Sequence, residues 1–347
     1  MIHDCRQTRV NVIRLGAGLD HSELYTVLGT ANQAQKAFRF VVDLSAWPVD
    51  LKYRLPNGGY ELDTALEVLL KTKKYRKLER PIVAISKLPL GDKEFGSEPG
   101  YFFFSSTAEA DPYVTTVSTH PLTVLPNRTL HEYVLLMLST NIFSIYGDIY
   151  YHDETRGCLL DYCDDLRDAE QAFRNGRLCD VCERDLQKKV ENGYINLDTI
   201  AAGTKLLNRA VGRSYCFVAM PFGPMFDPVY DTVRGVLNEL GWDVKRADEI
   251  IYPRLVTDRI VREIMSSDIM IADLSGSNPN VFYEVGLGVA LGNDLVLITQ
   301  DKEIPFDLRT HHTVFYGPGG GDLTRLRAGI RKSIGPAPTK SPAQLAK

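Results

Sequence analysis

The sequence predicts two folded domains, an α+β domain in the first half of the chain and an α/β domain with a parallel sheet in the second. A length of 347 residues suffices for two hydrophobic cores of ordinary size. After Ser214, short apolar runs alternate regularly with amphipathic helices, whereas the first half mixes strands and helices without that rhythm. Four of the six cysteines lie between residues 158 and 182. The cysteine cluster and the regular alternation after Ser214 therefore mark the division of the chain into two domains.

Composition is that of an ordinary globular protein. Hydrophobic residues make up 44% and charged residues 24%, and the formal charge of −4 gives no general attraction to nucleic acid or anionic membranes. The N-terminal stretch MIHDCRQTRVNVIRLGAG lacks a secretory signal pattern, and no apolar run approaches the length of a membrane span. We therefore expect a cytoplasmic protein without membrane or nucleic-acid partners. Cys5 and Cys216 are expected to be ordinary small apolar residues.

The first half is expected to fold as one α+β domain over residues 1–182. Strands are predicted for VNVIRL, FRFVVDLSAW, RPIVAISKLPLG and GYFFFSS, because these runs are apolar and bounded by Pro or Gly. Helices are predicted for YELDTALEVLLKT, which has helical spacing of apolar residues, and for TLHEYVLLMLSTNIFSIYG, capped by Thr129. Residues 183–213 are polar, helical in pattern and broken by Gly, which predicts a helical connector.

The second half is expected to form an α/β domain over residues 214–335. Strands are predicted for YCFVAMPFG, WDVKRADE, IMIADLSG and DLVLITQ. Helices are predicted for DPVYDTVRGVLNELG, VTDRIVREIMSSD and the segment that opens at Pro279. Because strands and helices alternate throughout, a parallel sheet with right-handed crossovers is the economical arrangement. Residues 336–347 are Pro-rich and polar, which predicts a mobile tail.

The clustered cysteines, Cys158, Cys163, Cys179 and Cys182, have the spacing C-x4-C-x15-C-x2-C. In a cytosolic chain such crowding favours metal ligation over disulfides. Two pairs of thiolates can close a tetrahedral shell around zinc, which leaves no position for water or substrate. The expected cofactor is therefore a structural Zn²⁺. The alternative is four reduced cysteines in a small core.

The helix ahead of these cysteines carries HEYVL, and a zinc-protease motif H-E-x-x-H would require histidine at Leu135. His131 and His152 alone supply too few ligands for a catalytic zinc. The order HEYVL, YYHDETRGCLLDYC and LCDVC nevertheless resembles the archaemetzincin family of metalloproteases, over residues 75–185. The resemblance implies a protease-like fold that has lost proteolysis and serves as a recognition or scaffold domain.

Polar or small residues follow each predicted strand of the second half. In an open parallel sheet, ligands bind beyond the carboxyl ends of the strands, where the loops converge. The residues predicted to bind substrate are Phe222, Gly223, Arg246, Asp248, Asn278, Asn280, Tyr283, Asp307 and Arg309. The alternative is that these residues are helix caps and solvated loop residues.

Glu284 has the most specific position of all. It lies six residues after Asn278, the predicted helix cap. Glycines 286, 288 and 292 allow the helix to approach the sheet closely, so Glu284 is expected to face the strand-end cleft with Asp273. Cleavage of an N-glycosidic bond needs such carboxylates. Glu284 would stabilise or attack the anomeric carbon, and Asp273 would orient ribose hydroxyls or handle a proton. The alternative is a solvated surface glutamate.

Residues 214–335 resemble the nucleoside 2-deoxyribosyltransferase-like group, which is related to TIR domains. The segments that carry the resemblance are CFVAMPFG, RADE, SDIMIADLSGSNPNVFYEVGLGVALG, VLITQ and PFDLR. The resemblance implies a flavodoxin-like sheet, a nucleoside, nucleotide or NAD ligand, a reacting glutamate at Glu284 and an acidic residue near the sugar at Asp273. It also implies a homo-oligomer, because such sites are often completed by a neighbouring subunit. The NPNVFYE loop is less acidic than that of the deoxyribosyltransferases themselves.

The leading hypothesis is a nucleotide or NAD N-glycosidase, or a deoxyribosyltransferase-like enzyme, regulated by a proteolytically inactive N-terminal domain. A TIR-like domain joined to an unfamiliar sensor suggests antiphage defence by analogy. The alternative is a non-catalytic module that binds a nucleotide as a signal, in which case Glu284 is structural. Leu135 argues against residual metalloprotease activity.

Overall fold

The computed structural model describes residues 7–16, 19–43, 55, 59–78, 81–91, 105–123, 128–163, 166–249, 256–317 and 323–337. The chain divides into two units, Met1–Val211 and Gly212–Lys347. None of the described helices is both long enough and apolar enough to span a membrane. Four predicted features lie wholly or partly outside the described residues: Cys5, the end of FRFVVDLSAW, the start of GYFFFSS and the C-terminal tail.

A mixed sheet forms the centre of the first unit. The strands are β1 (Thr8–Leu15), β2 (Phe38–Val42), β3 (Tyr60–Glu61), β4 (Ile82–Ser86), β5 (Leu90–Gly91), β6 (Ser105–Ala108) and β7 (Asp111–Ser118). The sheet has the order β2-β1-β4-β7-β6, with β6 antiparallel to β7 and the other pairs parallel, while β3 pairs with β5 separately. Among the described strands, β6 is therefore paired on one side only.

Helices pack on both faces of this sheet. They are α1 (His21–Ala34), α2 (Leu62–Tyr75), α3 (Leu130–Asn141), α4 (Leu166–Asn175), α5 (Asp180–Glu191) and α6 (Leu197–Ala210). Val10 and Val12 of β1 share a core with α1, α3 and α6, whereas Ile13 and Leu15 share a core with α2. This division follows from the alternation of side chains along a strand.

Helix α3 is buried from Tyr133 to Asn141 because its sequence there is almost entirely apolar. It packs against α6, where the Ser139 hydroxyl donates to the Gly203 carbonyl oxygen at 2.8 Å. A Cβ on Gly203 would lie 2.7 Å from the Phe143 ring, so glycine permits this close approach. The segment predicted as a connector thus folds into the first unit as α5 and α6.

The second unit is a parallel α/β fold. Its strands are β8 (Tyr215–Ala219), β9 (Asp243–Arg246), β10 (Ile269–Asp273), β11 (Asp294–Thr299) and β12 (Thr313–Phe315). Its helices are α7 (Asp227–Glu239), α8 (Val256–Ser266), α9 (Pro279–Leu291) and α10 (Leu323–Ser333). All described strand pairs are parallel, in the order β9-β8-β10-β11-β12, which is the order of a doubly wound flavodoxin-like sheet.

Both faces of this second sheet are buried. Cys216 and Val218 of β8 belong to one core, and Tyr215 and Phe217 belong to the other. Such strands are continuously apolar, which is why the sequence shows short apolar runs. The strand order reverses between β8 and β10, the place where ligands bind at the carboxyl ends of strands in sheets of this kind. The loops after β8 and β10 therefore position the candidate site.

Candidate active site and metal centre

Helix α9 carries Glu284 and begins at the predicted cap. The Asn278 side chain accepts a hydrogen bond from the Asn280 N–H at 2.9 Å. A Cβ on Gly288 would lie 2.6 Å from the Met270 sulfur, so glycine lets α9 lie directly against β10. Glu284 precedes Gly288 by about one helical turn and therefore lies on the side of α9 that packs against the sheet.

The Glu284 side chain is largely buried and has no polar partner among the described residues. The residue is only 7% exposed, and its carboxyl makes no hydrogen bond or ion pair with any described residue. Burial raises the pKa of Glu284 from its ordinary value of 4.5 to about 7. A carboxyl with this pKa exchanges its proton near neutral pH, as a reacting group at an active site must.

Asp273, the last residue of β10, is fully enclosed. One carboxylate oxygen accepts from the Ser275 N–H at 3.0 Å and from its hydroxyl at 2.5 Å, and the other accepts from the Tyr316 hydroxyl at 2.5 Å. Burial raises the pKa of Asp273, although these hydrogen bonds lower it. Asp273 thus holds the loop after β10 to Tyr316, and its expected role at a sugar stays a prediction.

Tyr316 is a residue of this site that the sequence analysis missed. Its hydroxyl accepts from the Gln300 side-chain amide at 3.1 Å, and the Gln300 N–H donates to the Ser275 hydroxyl oxygen at 2.8 Å. These hydrogen bonds join the ends of β10, β11 and β12. The strand β12 was not predicted either, because its apolar run TVF is too short to show a period. The position of Tyr316 directly after that run is the signal that could have found it.

Arg246, at the end of β9, is hydrogen-bonded to two carboxylates. Its guanidinium donates to both Asp248 oxygens at 2.7 and 2.6 Å and to Asp227 at 3.2 Å. It also lies 4.3 Å from the centroid of the Tyr230 ring and 5.6 Å from that of Phe222. The hydrogen bonds from Arg246 lower the pKa of Asp248. These contacts tie the loops after β8 and β9 together, and the binding of a substrate by Arg246 stays a prediction.

The other predicted binding residues lie in surface loops or at the start of α9. Gly223 has a φ of +126°, a conformation that favours glycine, in the turn before α7. Phe222 and Tyr283 are 57% and 53% exposed, and Asn280, Asp307 and Arg309 are exposed as well. Their contact with a ligand stays a prediction.

A separate cluster in the first unit could hold a metal ion. It consists of His152, Cys158, Cys179 and Cys182, whose candidate ligand atoms all lie within 4.8 Å of one another. The Cys158 and Cys182 sulfurs are 3.9 Å apart, and His152 Nε2 is 3.6 Å from the Cys179 sulfur. Tetrahedral zinc would place two thiolate sulfurs about 3.8 Å apart. The donor set and its spacing therefore fit Zn²⁺.

The surroundings of the cluster also favour a metal. His152 Nδ1 lies 2.9 Å from the Glu154 carbonyl oxygen and 3.3 Å from an Asp161 carboxylate oxygen, so a proton on Nδ1 leaves Nε2 free to ligate. The Cys158 sulfur accepts backbone N–H groups from Leu160 and Cys179. The hydrogen bond from the Cys182 thiol is the largest cause that lowers the pKa of Cys158 to about 5. A thiolate, the form that binds metal, is thus stabilised here.

The four-cysteine site predicted from the sequence is corrected at one position. Cys163 lies outside the cluster, where its thiol donates to the Asp161 carbonyl oxygen at 3.4 Å, and His152 takes the fourth place. The cause is a backbone pairing: the His152 N–H donates to the Leu160 carbonyl oxygen, and the Tyr162 N–H donates to the His152 carbonyl oxygen. This pairing brings His152 beside Cys158.

His131, Glu132 and Leu135, which align with part of the H-E-x-x-H motif, have structural surroundings. The Glu132 carboxylate accepts from the Thr129 N–H at 3.0 Å, and the Thr129 hydroxyl accepts from the Glu132 N–H at 3.2 Å, which forms a capping box at the start of α3. Leu135 is fully buried in the core. Burial lowers the pKa of His131. The glutamate that would activate water in a protease caps a helix here.

No protein-family model matches the chain, TIR domains included, and no curated protein sequence matches it. Solved structures do resemble it. For archaemetzincin from Methanopyrus kandleri, the TM-score is 0.37 at 12% sequence identity, and the match covers 55% of this chain and 98% of that one.

Two further solved structures are named as a 2-deoxyribosyltransferase and a CMP N-glycosidase. A 2-deoxyribosyltransferase from Bacillus psychrosaccharolyticus matches with a TM-score of 0.29 at 17% identity, over 37% of this chain and 100% of that one. A CMP N-glycosidase from Clostridium botulinum matches with a TM-score of 0.27 at 22% identity, over 33% of this chain and 98% of that one. These three are similarities of fold at low sequence identity.

Proposed function

We propose that the second unit cleaves the N-glycosidic bond of a nucleoside, nucleotide or NAD, with Glu284 as the reacting carboxylate. The observation that carries this proposal is the state of Glu284: a largely buried carboxyl without a polar partner among the described residues, whose pKa burial raises to about 7. Its helix follows β10, at the point where the strand order reverses and ligands bind in such sheets.

The chemistry follows from the charge of the transition state. As the bond between the base and the anomeric carbon breaks, positive charge develops on the sugar, and the base leaves with the bonding electrons. Ionised Glu284 attacks or stabilises that carbon, and water or an acceptor then takes its place there. In this proposal Asp273 holds the loop that receives the sugar, with Tyr316 as its hydrogen-bond donor.

The first unit is proposed to be a non-proteolytic domain that regulates the second. Zinc bound by His152, Cys158, Cys179 and Cys182 would have four protein ligands and no open position, so its role would be structural. The capping role of Glu132 and the burial of Leu135 support the loss of proteolysis. Assembly into a homo-oligomer belongs to the same proposal.

The second candidate is a sensor that binds a nucleotide without cleaving it. The observation that favours it is the full engagement of Asp273, whose oxygens already accept three hydrogen bonds from Ser275 and Tyr316. Without a second available carboxylate, a site with Glu284 alone would bind a sugar more readily than it would cleave one.

The test is to incubate the full chain with NAD and with a panel of nucleosides and nucleotides, and to measure the free base released. Wild type is compared with Glu284→Gln, which keeps the size of the side chain and removes its ionisation. Glu303→Gln is the matched control, because Glu303 is an exposed glutamate of the same unit.

Base release by wild type and Glu303→Gln, with a loss of about 100-fold or more in Glu284→Gln, is the result expected for a reacting carboxylate. Undiminished release by Glu284→Gln would overturn the assignment. Binding of a panel member by all three proteins without release of base would establish the sensor instead.

A further inference from the structure

The first unit contains a cavity that the proposed function does not use. Its volume is 820 Å³, within the range of small-molecule sites. Its walls are the edge strand β6, the end of α3 with the π-helical turn Ile142–Tyr146 that continues it, residues 148–163 and α4. A π-helical turn of this kind is frequent at functional sites. His131 and Glu132, the first two residues of HEYVL, do not line this cavity.

Tyrosine dominates the lining of this cavity. Six tyrosines line it: Tyr113, Tyr146, Tyr150, Tyr151, Tyr162 and Tyr194. Of the eight large hydrophobic side chains that the described part of the first unit exposes, five are among these tyrosines, all except Tyr146. Exposed aromatic rings gathered around one concave site, rather than scattered, indicate a binding surface for flat apolar molecules.

Tyr146 contributes its ring to the cavity wall. The ring packs against Phe38 and Tyr113, with centroid distances of 4.8 and 5.7 Å. The hydroxyl is buried and makes no hydrogen bond with any described residue, so the ring and not the hydroxyl is accessible from the cavity. Ser105, Ser106 and Thr107 add hydroxyl-bearing side chains along β6.

The charges of the described lining disfavour a phosphate. Among the described residues of the lining are two carboxylates, Asp148 and Asp161, and no lysine, arginine or histidine. Asp148 is paired with Lys189 at 3.0 Å, and Asp161 accepts the backbone N–H groups of Arg156 and Cys158 at 2.9 Å each. Both carboxylates thus already have partners, and no described residue of the lining offers a cation to an anion.

We propose that this cavity binds an uncharged, planar heteroaromatic molecule between its tyrosine rings, with hydrogen bonds to the hydroxyl groups of its lining. The site is separate from Glu284 and its occupation does not depend on the proposed hydrolysis. It gives the first unit a ligand of its own, as a sensing domain requires.

The test uses 2-aminopurine, an uncharged fluorescent heteroaromatic base, titrated with the full chain carrying Glu284→Gln so that its riboside 5′-monophosphate, used for comparison, is not cleaved. The change in its fluorescence is measured with and without Tyr150→Ala and Tyr194→Ala together. These tyrosines are 80% and 79% exposed, so their removal leaves the core intact. Tyr75→Ala is the matched control, because Tyr75 is 85% exposed in the same unit and does not line the cavity.

Saturable binding is expected, weakened about tenfold or more by the double substitution and unchanged by Tyr75→Ala. The 5′-monophosphate of 2-aminopurine riboside is expected to bind more weakly than the base.

The absence of saturable binding would overturn the proposal. Equal affinity in the double variant would also overturn it, since the base would then bind elsewhere, for example in the second unit. A thermal unfolding curve for each variant that matches its parent shows that lost affinity does not reflect lost folding. Tighter binding of the monophosphate that the double substitution weakens would contradict the argument from charge.

Discussion

At the residue scale, the Glu284 side chain combines two features that protein interiors rarely tolerate together, extensive burial and the lack of a hydrogen-bond partner among the described residues. Asp273 is equally buried, but it accepts three hydrogen bonds. A partnerless buried carboxyl destabilises the fold, and such groups are typical of functional sites. Asp273 therefore has the contacts of a structural carboxylate, whereas Glu284 does not.

This difference predicts that Glu284→Gln stabilises the second unit in a pH-dependent way. The pKa of Glu284 in the folded protein, about 7, lies above the ordinary value of 4.5, so ionisation is disfavoured in the folded state. The stability of wild type therefore falls as pH rises from 4.5 to about 7 and stays reduced above that, by about 3 kcal/mol in total. Glutamine does not ionise and escapes this loss.

The measurement is thermal unfolding of wild type and Glu284→Gln at pH 5 and pH 8. The unfolding temperature of the variant is expected to exceed that of wild type by several degrees more at pH 8 than at pH 5. A difference between the two proteins that is the same at both pH values would contradict the burial of an ionisable Glu284. Glu303→Gln serves as the exposed control.

Sequence reasoning located Glu284 and its helix because both depend on local signals, the Asn278 cap and the glycines that follow. It did not find Tyr316, because the contact of its hydroxyl with Asp273 joins residues 43 positions apart. For a similar reason, the predicted metal ligands included Cys163 instead of His152. Ligand spacing along the chain is visible in a sequence, whereas the backbone pairing that moves His152 beside Cys158 is not.

At the scale of elements, the candidate metal cluster combines residues of an irregular segment with residues at the start of a helix. His152 and Cys158 belong to the segment 148–163, whereas Cys179 and Cys182 lie at the start of α5. The same segment supplies Tyr150, Tyr151 and Tyr162 to the tyrosine-lined cavity. Zinc bound at this cluster would position residues that no helix or strand holds.

Substitution of the cluster residues is expected to release the metal. Cys179→Ser and His152→Ala should reduce bound zinc from about one ion per chain to near zero and lower the unfolding temperature. Cys163→Ser is the control and should keep its zinc, because that thiol lies outside the cluster. Zinc per chain is measured by elemental analysis. Loss of zinc in Cys163→Ser with retention in His152→Ala would restore the four-cysteine site instead.

The elements themselves were predictable to different degrees. Long amphipathic or apolar segments such as α2, α3 and α7 have a period that a sequence shows directly. The role of α5 and α6 was not evident, because their polar faces suggested a connector, and only packing of α6 on α3 shows them to be part of the first unit. Their burial depends on residues more than 60 positions away in the chain.

At the scale of the whole molecule, the chain consists of two units with separate cores. The alternation of strands and helices after Ser214 was sufficient to predict the parallel sheet of the second unit, because alternation and right-handed crossovers leave few other arrangements. The boundary was less predictable, since no Pro-rich or Gly-rich linker marks it, and the structure places it at residues 211 and 212.

Separate cores predict that a fragment beginning at Gly212 folds by itself. The fragment should show the circular dichroism of an α/β protein and one cooperative thermal transition. A fragment starting at Val229, which lacks β8, is the control and should not fold, because β8 is a central strand of the sheet. Absence of a cooperative transition in the first fragment would show that the second unit requires the first.

The central claim is that Glu284 is the reacting carboxylate of an N-glycosidic cleavage, and the pH dependence of base release tests it most directly. The measurement is kcat/KM for the most reactive substrate of the panel between pH 5.5 and pH 8.5. The expected result is a rate that rises with pH through about 7, as Glu284 loses its proton, and that is absent in Glu284→Gln. A rate that stays constant across this range, or that falls as pH rises through 7, would contradict the claim.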